Sequence, residues 1–372
     1  MSLRPGRLRD LKRRAVQAAL RVGAAHRPRG VILAYHRVAV PRSDPWNLSV
    51  APGTFAAQMD LLASSGCVTS LGGLLGNVRG GGGSRHPLIA ITFDDAYACT
   101  LHRALPVLER AGLPATVFAT SGAIGDPTAF WWDLLDRVFL ETPVLPDELR
   151  LDCGGRTERW TLGAGAAPGA EALARDRAWK ADTEEPSSVR QRTHLSVWTF
   201  VSGLPAAARG EAAARIAEWA GLAPEARTDD LARPVTEGEL AGMAARPGVE
   251  IGGHSVSHCD FSRTGAADAE REIVEDRRRL AALTGRAPRH FAFPYGRVTP
   301  EAEGFVRAAG YEAACSSRLG VVTSSAPPFR LPRMQVIDGP VEDFTRDLRF
   351  LLGRLAGPEA NRPRPASLRE AV

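Results

Sequence analysis

Two short stretches of this 372-residue chain hold side chains whose types and spacing could do chemistry. In ITFDDAYA (91–98), Asp94 and Asp95 sit side by side after an apolar run that reads as a buried strand. Adjacent carboxylates at a strand end repel and are partly desolvated, so each needs a partner of its own. In HSVSH, His254 and His258 stand four apart, again just past a predicted strand. Neutral imidazoles at that spacing can face one way on a turn or wide loop, and they are good zinc ligands. A carboxylate suits the third position, and three protein ligands leave one coordination position open for water or a substrate oxygen. His36 in AYHRV and Pro294-Tyr295 in FAFPYG fall at two further strand ends. Ser255 and Ser257 lie outside any Gly-x-Ser-x-Gly elbow, and Ser255 is expected to steady the histidine turn. The bland alternatives are a helix N-cap for the Asp pair and backbone-bonded structural histidines.

An alternation of strand and helix must position these groups. GVILAYHRV (30–38), LIAITF (88–93), PATVFAT (114–120), GVEIGGHS (248–255), RHFAFPYG (289–296) and YEAACSS (311–317) read as strands. Helices are predicted over 54–66, capped by Thr54 and stopped by Gly66, and over 100–112, 268–285, 301–310 and 341–355. The short spacing predicts an α/β fold with a parallel sheet and crossover helices. In such sheets and barrels, chemistry collects at the carboxyl ends of the strands. The alternation breaks over about 125–245, which predicts an inserted helical lobe with helices at 129–141, 210–221 and 236–245. The last opens with Thr236 and, three places on, Glu239, a capping-box pattern. One domain is expected over 29–356, after a basic amphipathic helix within 1–28 and before a Pro/Arg-rich, disordered tail over 357–372.

TFDDAY, HSVSH and FAFPYG, in this order and at these distances, resemble the NodB-homology polysaccharide deacetylases, carbohydrate esterase family four. The resemblance covers roughly 29–335, without much of the insert. It implies a distorted (β/α)7-type barrel and a divalent metal, usually Zn2+, with Co2+ or Ni2+ as alternatives. It also implies hydrolytic removal of an N-acetyl group from an amino sugar. By position, Asp94 would be the general base, and Asp95, His254 and His258 the metal ligands. The backbone N–H of Tyr295 would help hold the oxyanion. Two departures stand out. The Arg that often opens the third motif and orients the base is Ala292 here; in FRLPRMQV either Arg330 or Arg333 could take over, and Arg333 is preferred. A late Leu-x-x-His motif, the usual source of the acid, is missing, and His36 is the candidate in its place. Phe130, Trp131 and Trp132 would either stack on sugar faces or belong to the core. The substrate is expected to be an N-acetylated sugar in a glycan, a lipid-linked saccharide, a nucleotide sugar or a glycosylated small molecule. Alternatives are a deformylase or other deacylase, and an inactive, metal-containing glycan-binding homologue.

Composition is that of a globular protein, 44% hydrophobic and 24% charged. The net charge of +5 comes with positives that are almost all Arg, which favours anionic partners. No nucleic-acid-binding signature accompanies it. Five scattered cysteines without a C-x-x-C pair argue against a disulfide framework and a thiolate zinc site. No apolar run reaches the roughly 18–20 residues of a membrane span. With no hydrophobic segment following the N-terminal basic residues, a cytoplasmic location is expected. Leu8, Leu11, Ala15 and Val22 lie near one face of the N-terminal helix, with arginines crowding the rest. That helix would either attach peripherally to an anionic membrane surface or pack or fray as a solvated helix.

Overall fold

GVILAY (30–35) and LIAITF (88–93) are buried at every position. Strands covered on both faces, as in a parallel sheet under helices, require such continuous apolar runs. The computed structural model describes residues 28–80, 84, 86–126, 128, 130–223 and 230–353. The expected N-terminal helix and C-terminal tail lie outside them. In chain order the first part comprises β1 (Gly30–Tyr35), β2 (Arg37–Val38), β3 (Ser49–Val50), α1 (Pro52–Ser65), α2 (Leu71–Val78), β4 (Leu88–Phe93), α3 (Leu105–Ala111) and β5 (Ala115–Ala119). The insert supplies α4 (Trp131–Asp136), β6 (Glu148–Cys153), β7 (Arg156–Thr161), α5 (Ala170–Ala178), α6 (Val189–Ser202), α7 (Ala206–Trp219) and α8 (Glu237–Ala244). Then follow β8 (Val249–Gly253), α9 (Ala266–Thr284), β9 (His290–Ala292), α10 (Pro300–Ala308), β10 (Ala313–Cys315), β11 (Met334–Gln335) and α11 (Val341–Leu352).

Seven strands form one sheet in the order β10-β9-β8-β5-β4-β1-β11. Every pairing within it is parallel. A short seam draws its two edges together. Leu331 bridges Cys315 at the end of β10, and Met334, three residues on, pairs with Leu33 of β1. The sheet thus curls into the distorted barrel expected. Alternate strand residues part into two cores. Leu33, Ile91 and Val117 meet Phe55, Met59 and Leu105 of the flanking helices. Ile32, Ala90 and Phe118 join Leu71 and Leu74 of α2 on the other face.

The insert differs from a purely helical lobe. The polar stretch of weak periodicity contains the antiparallel hairpin β6–β7 and the helices α5 and α6. Alternation in ELRLDC buries Leu149, Leu151 and Cys153 against Val197, Val201 and Ile216. Two predicted helices also open with or relax into π-turns, over Thr100–Ala104 and Arg137–Glu141. The helix expected to be capped by Thr54 starts two residues earlier, with Pro52 in its first turn, where a missing N–H costs nothing. The capping box at Thr236 and Glu239 is formed as the sequence indicates.

Candidate metal centre and catalytic cleft

Parallel register brings the chemistry together. Tyr35 pairs with Phe93, so His36 and Asp94 are the next residues on adjacent strands. The Asp94 N–H still donates to Tyr35 O (2.9 Å), after which Asp95 and Ala96 turn through φ of 70° and 56°. Gly253 pairs with Ala119, and the His254 N–H donates to Ala119 O (3.1 Å). A side chain at 253 would collide with Tyr311 Oη and with Asp276 Oδ2, so only Gly lets β8 sit this close to its neighbours. Of six non-glycine residues at positive φ among the described residues, five are Asp95, Ala96, Ser255, His258 and Tyr295. Backbone strain of about 1–3 kcal/mol per residue persists only where the surroundings enforce it, and here it gathers at one end of the barrel.

Asp95, His254 and His258 are buried and offer one ligand atom each, all within 4.8 Å of one another. Asp95 Oδ1 lies 3.6 Å from His254 Nε2 and 3.5 Å from His258 Nε2. His254 Nδ1 is 2.7 Å from Ala292 O. A carbonyl can only accept, so Nδ1 carries the proton and Nε2 presents its lone pair. Burial, then the Asp94 and Asp133 charges, push the Asp95 carboxyl well above the usual range. Burial pulls both imidazoles below theirs, so they are neutral. Asp95 Oδ1 is also buried without a hydrogen-bond partner. Three electron-pair donors thus converge without a counter-charge, a donor set that fits a divalent cation.

Asp94 is held differently. Arg333 grips it with two parallel bonds, Nη1 to Oδ1 and Nη2 to Oδ2, both 2.7 Å. Burial alone would raise this carboxyl; the Arg333 and His254 charges and the bidentate bonds outweigh it and hold it well below the usual carboxylate range. Arg330, the other sequence candidate, faces outward and pairs with Glu303. His36 Nε2 stands 3.8 Å from Asp94 Oδ2. Burial pulls its pKa down to about 4 against the attraction of Asp94.

These groups floor a cleft of about 330 Å³. Trp46 from the β2–β3 loop, Trp198 from α6 and Tyr295 shape its walls, with Trp46 and Trp198 centroids 5.3 Å apart. The aromatic stripe divides. Phe130 and Trp132 stack at 4.5 Å and are buried, and Trp132 also reaches the cleft, 4.7 Å from the His258 ring. Trp131 packs on Trp198 (5.8 Å).

The sequence profile described as polysaccharide deacetylase matches residues 81–144 and 212–314. The chain belongs to the polysaccharide deacetylase family. The unmatched interval falls within the insert. No curated protein sequence matches the chain. Among solved structures it is similar to the Streptococcus pyogenes deacetylase PplD in complex with acetate, at 14% identity and TM-score 0.52 over 86% of this chain and 97% of that one. It is similar also to IcaB from Ammonifex degensii, at 16% identity and TM-score 0.52 over 87% and 97%. At these identities the likeness establishes the shared fold. Membership of the polysaccharide deacetylase family makes the chain a hydrolase of the carbohydrate-deacetylating class.

Several groups at the site went unread in the sequence. Arg37, next to His36, binds Asp133 of α4 (2.7 Å) and Asp44 (2.9 Å). Tyr97 donates to Asp133 (2.7 Å) and accepts from Trp132 Nε1 (2.9 Å). This chain of bonds ties the insert to the barrel behind His258. The one available hint was a polar Arg directly following His36 at a strand end. Its partner lies 96 residues away, with no local signal.

Proposed function

We propose that the protein is a zinc-dependent amidohydrolase that removes the N-acetyl group from an amino sugar. The observation behind this reading is the bidentate Arg333–Asp94 pair set beside the Asp95–His254–His258 cluster. One carboxylate is oriented and kept ionised, while its neighbour is left free to bind a cation. Asp95, His254 and His258 would hold that cation. Once bound, it supplies Lewis acidity, polarising the acyl carbonyl and making water a readier proton donor.

Asp94 accepts the proton of the attacking water, whose oxygen bonds to the acyl carbon. The carbonyl electron pair moves onto its oxygen, where the Tyr295 backbone N–H would serve as donor. His36 is neutral at rest and so enters the reaction as an acceptor. It takes the proton through Asp94, 3.8 Å away, and passes it to the departing nitrogen as the C–N bond breaks. Acetate and a free amine leave. Trp46 and Trp198 offer faces for a pyranose ring, consistent with a sugar in the cleft.

Chelator-stripped protein, with and without added zinc, tests the reading through acetate release from N-acetylglucosamine derivatives. Release that depends on zinc is expected. No release from any acylated amino sugar at full metal occupancy would point to a glycan-binding homologue. Preferential release of formate from N-formyl sugars would point to a deformylase.

A further inference from the structure

His254 and His258 are held by different means. The His254 ring is fixed through its own Nδ1, which donates to Ala292 O. His258 Nδ1 is buried without a protein partner. Metal-binding imidazoles are ordinarily oriented through that second nitrogen, so the direction of the His258 ring must come from its backbone and its neighbours. That backbone is in the left-handed region, φ 53°, where a side-chain-bearing residue does not rest unaided.

Arg209 lies on α7 of the insert, 7% exposed. Its Nη1 donates to the carbonyls of both Ser257 (2.9 Å) and His258 (3.3 Å), and its Nε to Leu204 O (3.1 Å). The first two oxygens belong to the two peptide planes that flank the His258 Cα. One guanidinium nitrogen therefore fixes the planes that set the Cα–Cβ direction of this histidine. The N–H of the second plane, on Cys259, is held by Ser255 Oγ (3.2 Å). Glu272 takes the Ser257 N–H and hydroxyl (2.8 and 2.7 Å). Among the described residues no carboxylate forms an ion pair with Arg209. A buried cation committed to backbone carbonyls is costly to keep unless those carbonyls need it.

We propose that Arg209 is a positioning residue of the metal centre: from the insert, it locks the backbone that aims His258. This rests on the reading of Asp95, His254 and His258 as the cation site, and it makes the insert part of that site as well as a wall of the cleft. Zinc affinity, by competition with a chromophoric chelator, and the visible absorption of the Co2+-loaded protein are measured on wild type, Arg209→Met, Arg209→Gln, Arg209→Lys and Arg215→Met. The last removes an exposed arginine of the same helix, paired with Glu211, and serves as control. Folded Arg209→Met is expected to bind zinc about 10–100-fold more weakly, with an altered Co2+ spectrum, while Arg209→Lys recovers most of both and Arg215→Met matches wild type. Folded Arg209→Met with wild-type affinity and spectrum overturns the proposal. If Arg209→Met does not fold, Arg209→Gln is read by the same two outcomes. A wild type that takes up neither ion defeats the metal reading itself, and the proposal with it.

Discussion

Replacing Arg333 by Met removes the clamp on Asp94 and leaves the bulk of the side chain in place. Both partners are almost fully buried, 2% and 3% exposed. Breaking a buried pair from one side typically costs about 3–5 kcal/mol, because the remaining charge is stranded. The same side chain donates to Ser316 O (2.9 Å) across the seam between β10 and β11, so the destabilisation is expected toward the upper end. At about 1.36 kcal/mol per pKa unit, losing even 3 kcal/mol of that stabilisation raises Asp94 by about two units. The sign is definite. In the wild type the depressed Asp94 contributes stability above the unfolded carboxyl value, and loses it as pH falls through the folded one. In Arg333→Met that contribution is gone, and the acid limb of kcat/KM moves upward by about two pH units. Urea unfolding and the pH dependence of acetate release read the two effects separately. An acid limb and an unfolding midpoint both unchanged would refute the assignment of Arg333 as the group that holds Asp94 ionised.

Other expectations follow from the same geometry. Asp94→Asn should retain zinc in a chelator-competition assay and lose about 10²–10⁴-fold in turnover, the usual reach of general-base catalysis; Asp95→Asn should lose the metal, and the reverse pattern would exchange the two roles. Asp276 lies buried beneath β8, within 3.3 Å of Tyr311 Oη, and burial pushes its pKa up to about 7. The fold therefore favours its protonated form. That stability is present below pH of about 4 and is lost as pH rises through about 7, so Asp276→Asn should flatten this part of the urea-midpoint profile. Trp198→Ala should raise KM several-fold, up to about tenfold, at nearly constant kcat if the ring serves as a sugar platform; steady-state kinetics decide it.

The groups at the strand ends were readable because a parallel sheet has one chemically privileged edge. Asp94, Asp95, His254 and His258 each follow a recognisable apolar strand, so their convergence needed only the topology. Arg333 was harder. The pair to Asp94 spans 239 residues, and its choice over Arg330 depends on which residue of the seam faces inward, a matter of closure geometry rather than of local pattern. Arg209 was invisible for a related reason. In GLPAAARGEAAAR it resembles any helical arginine, and only the packing of α7 against the HSVSH loop gives it carbonyls to bind. The hairpin β6–β7 carried alternation in one strand alone, since RTERWT is exposed along almost its whole length.

The seam that closes the barrel is also the last part of the site along the chain. Asp94, Asp95, His254 and His258 all leave the ribosome before Arg333. The proposed cation donors thus precede, along the chain, the clamp of the proposed base. Only when residues 331–334 bridge β10 to β1 does the guanidinium reach Asp94. In the native fold, then, the contact that closes the barrel and the contact that would ready the proposed base lie within the same four-residue stretch.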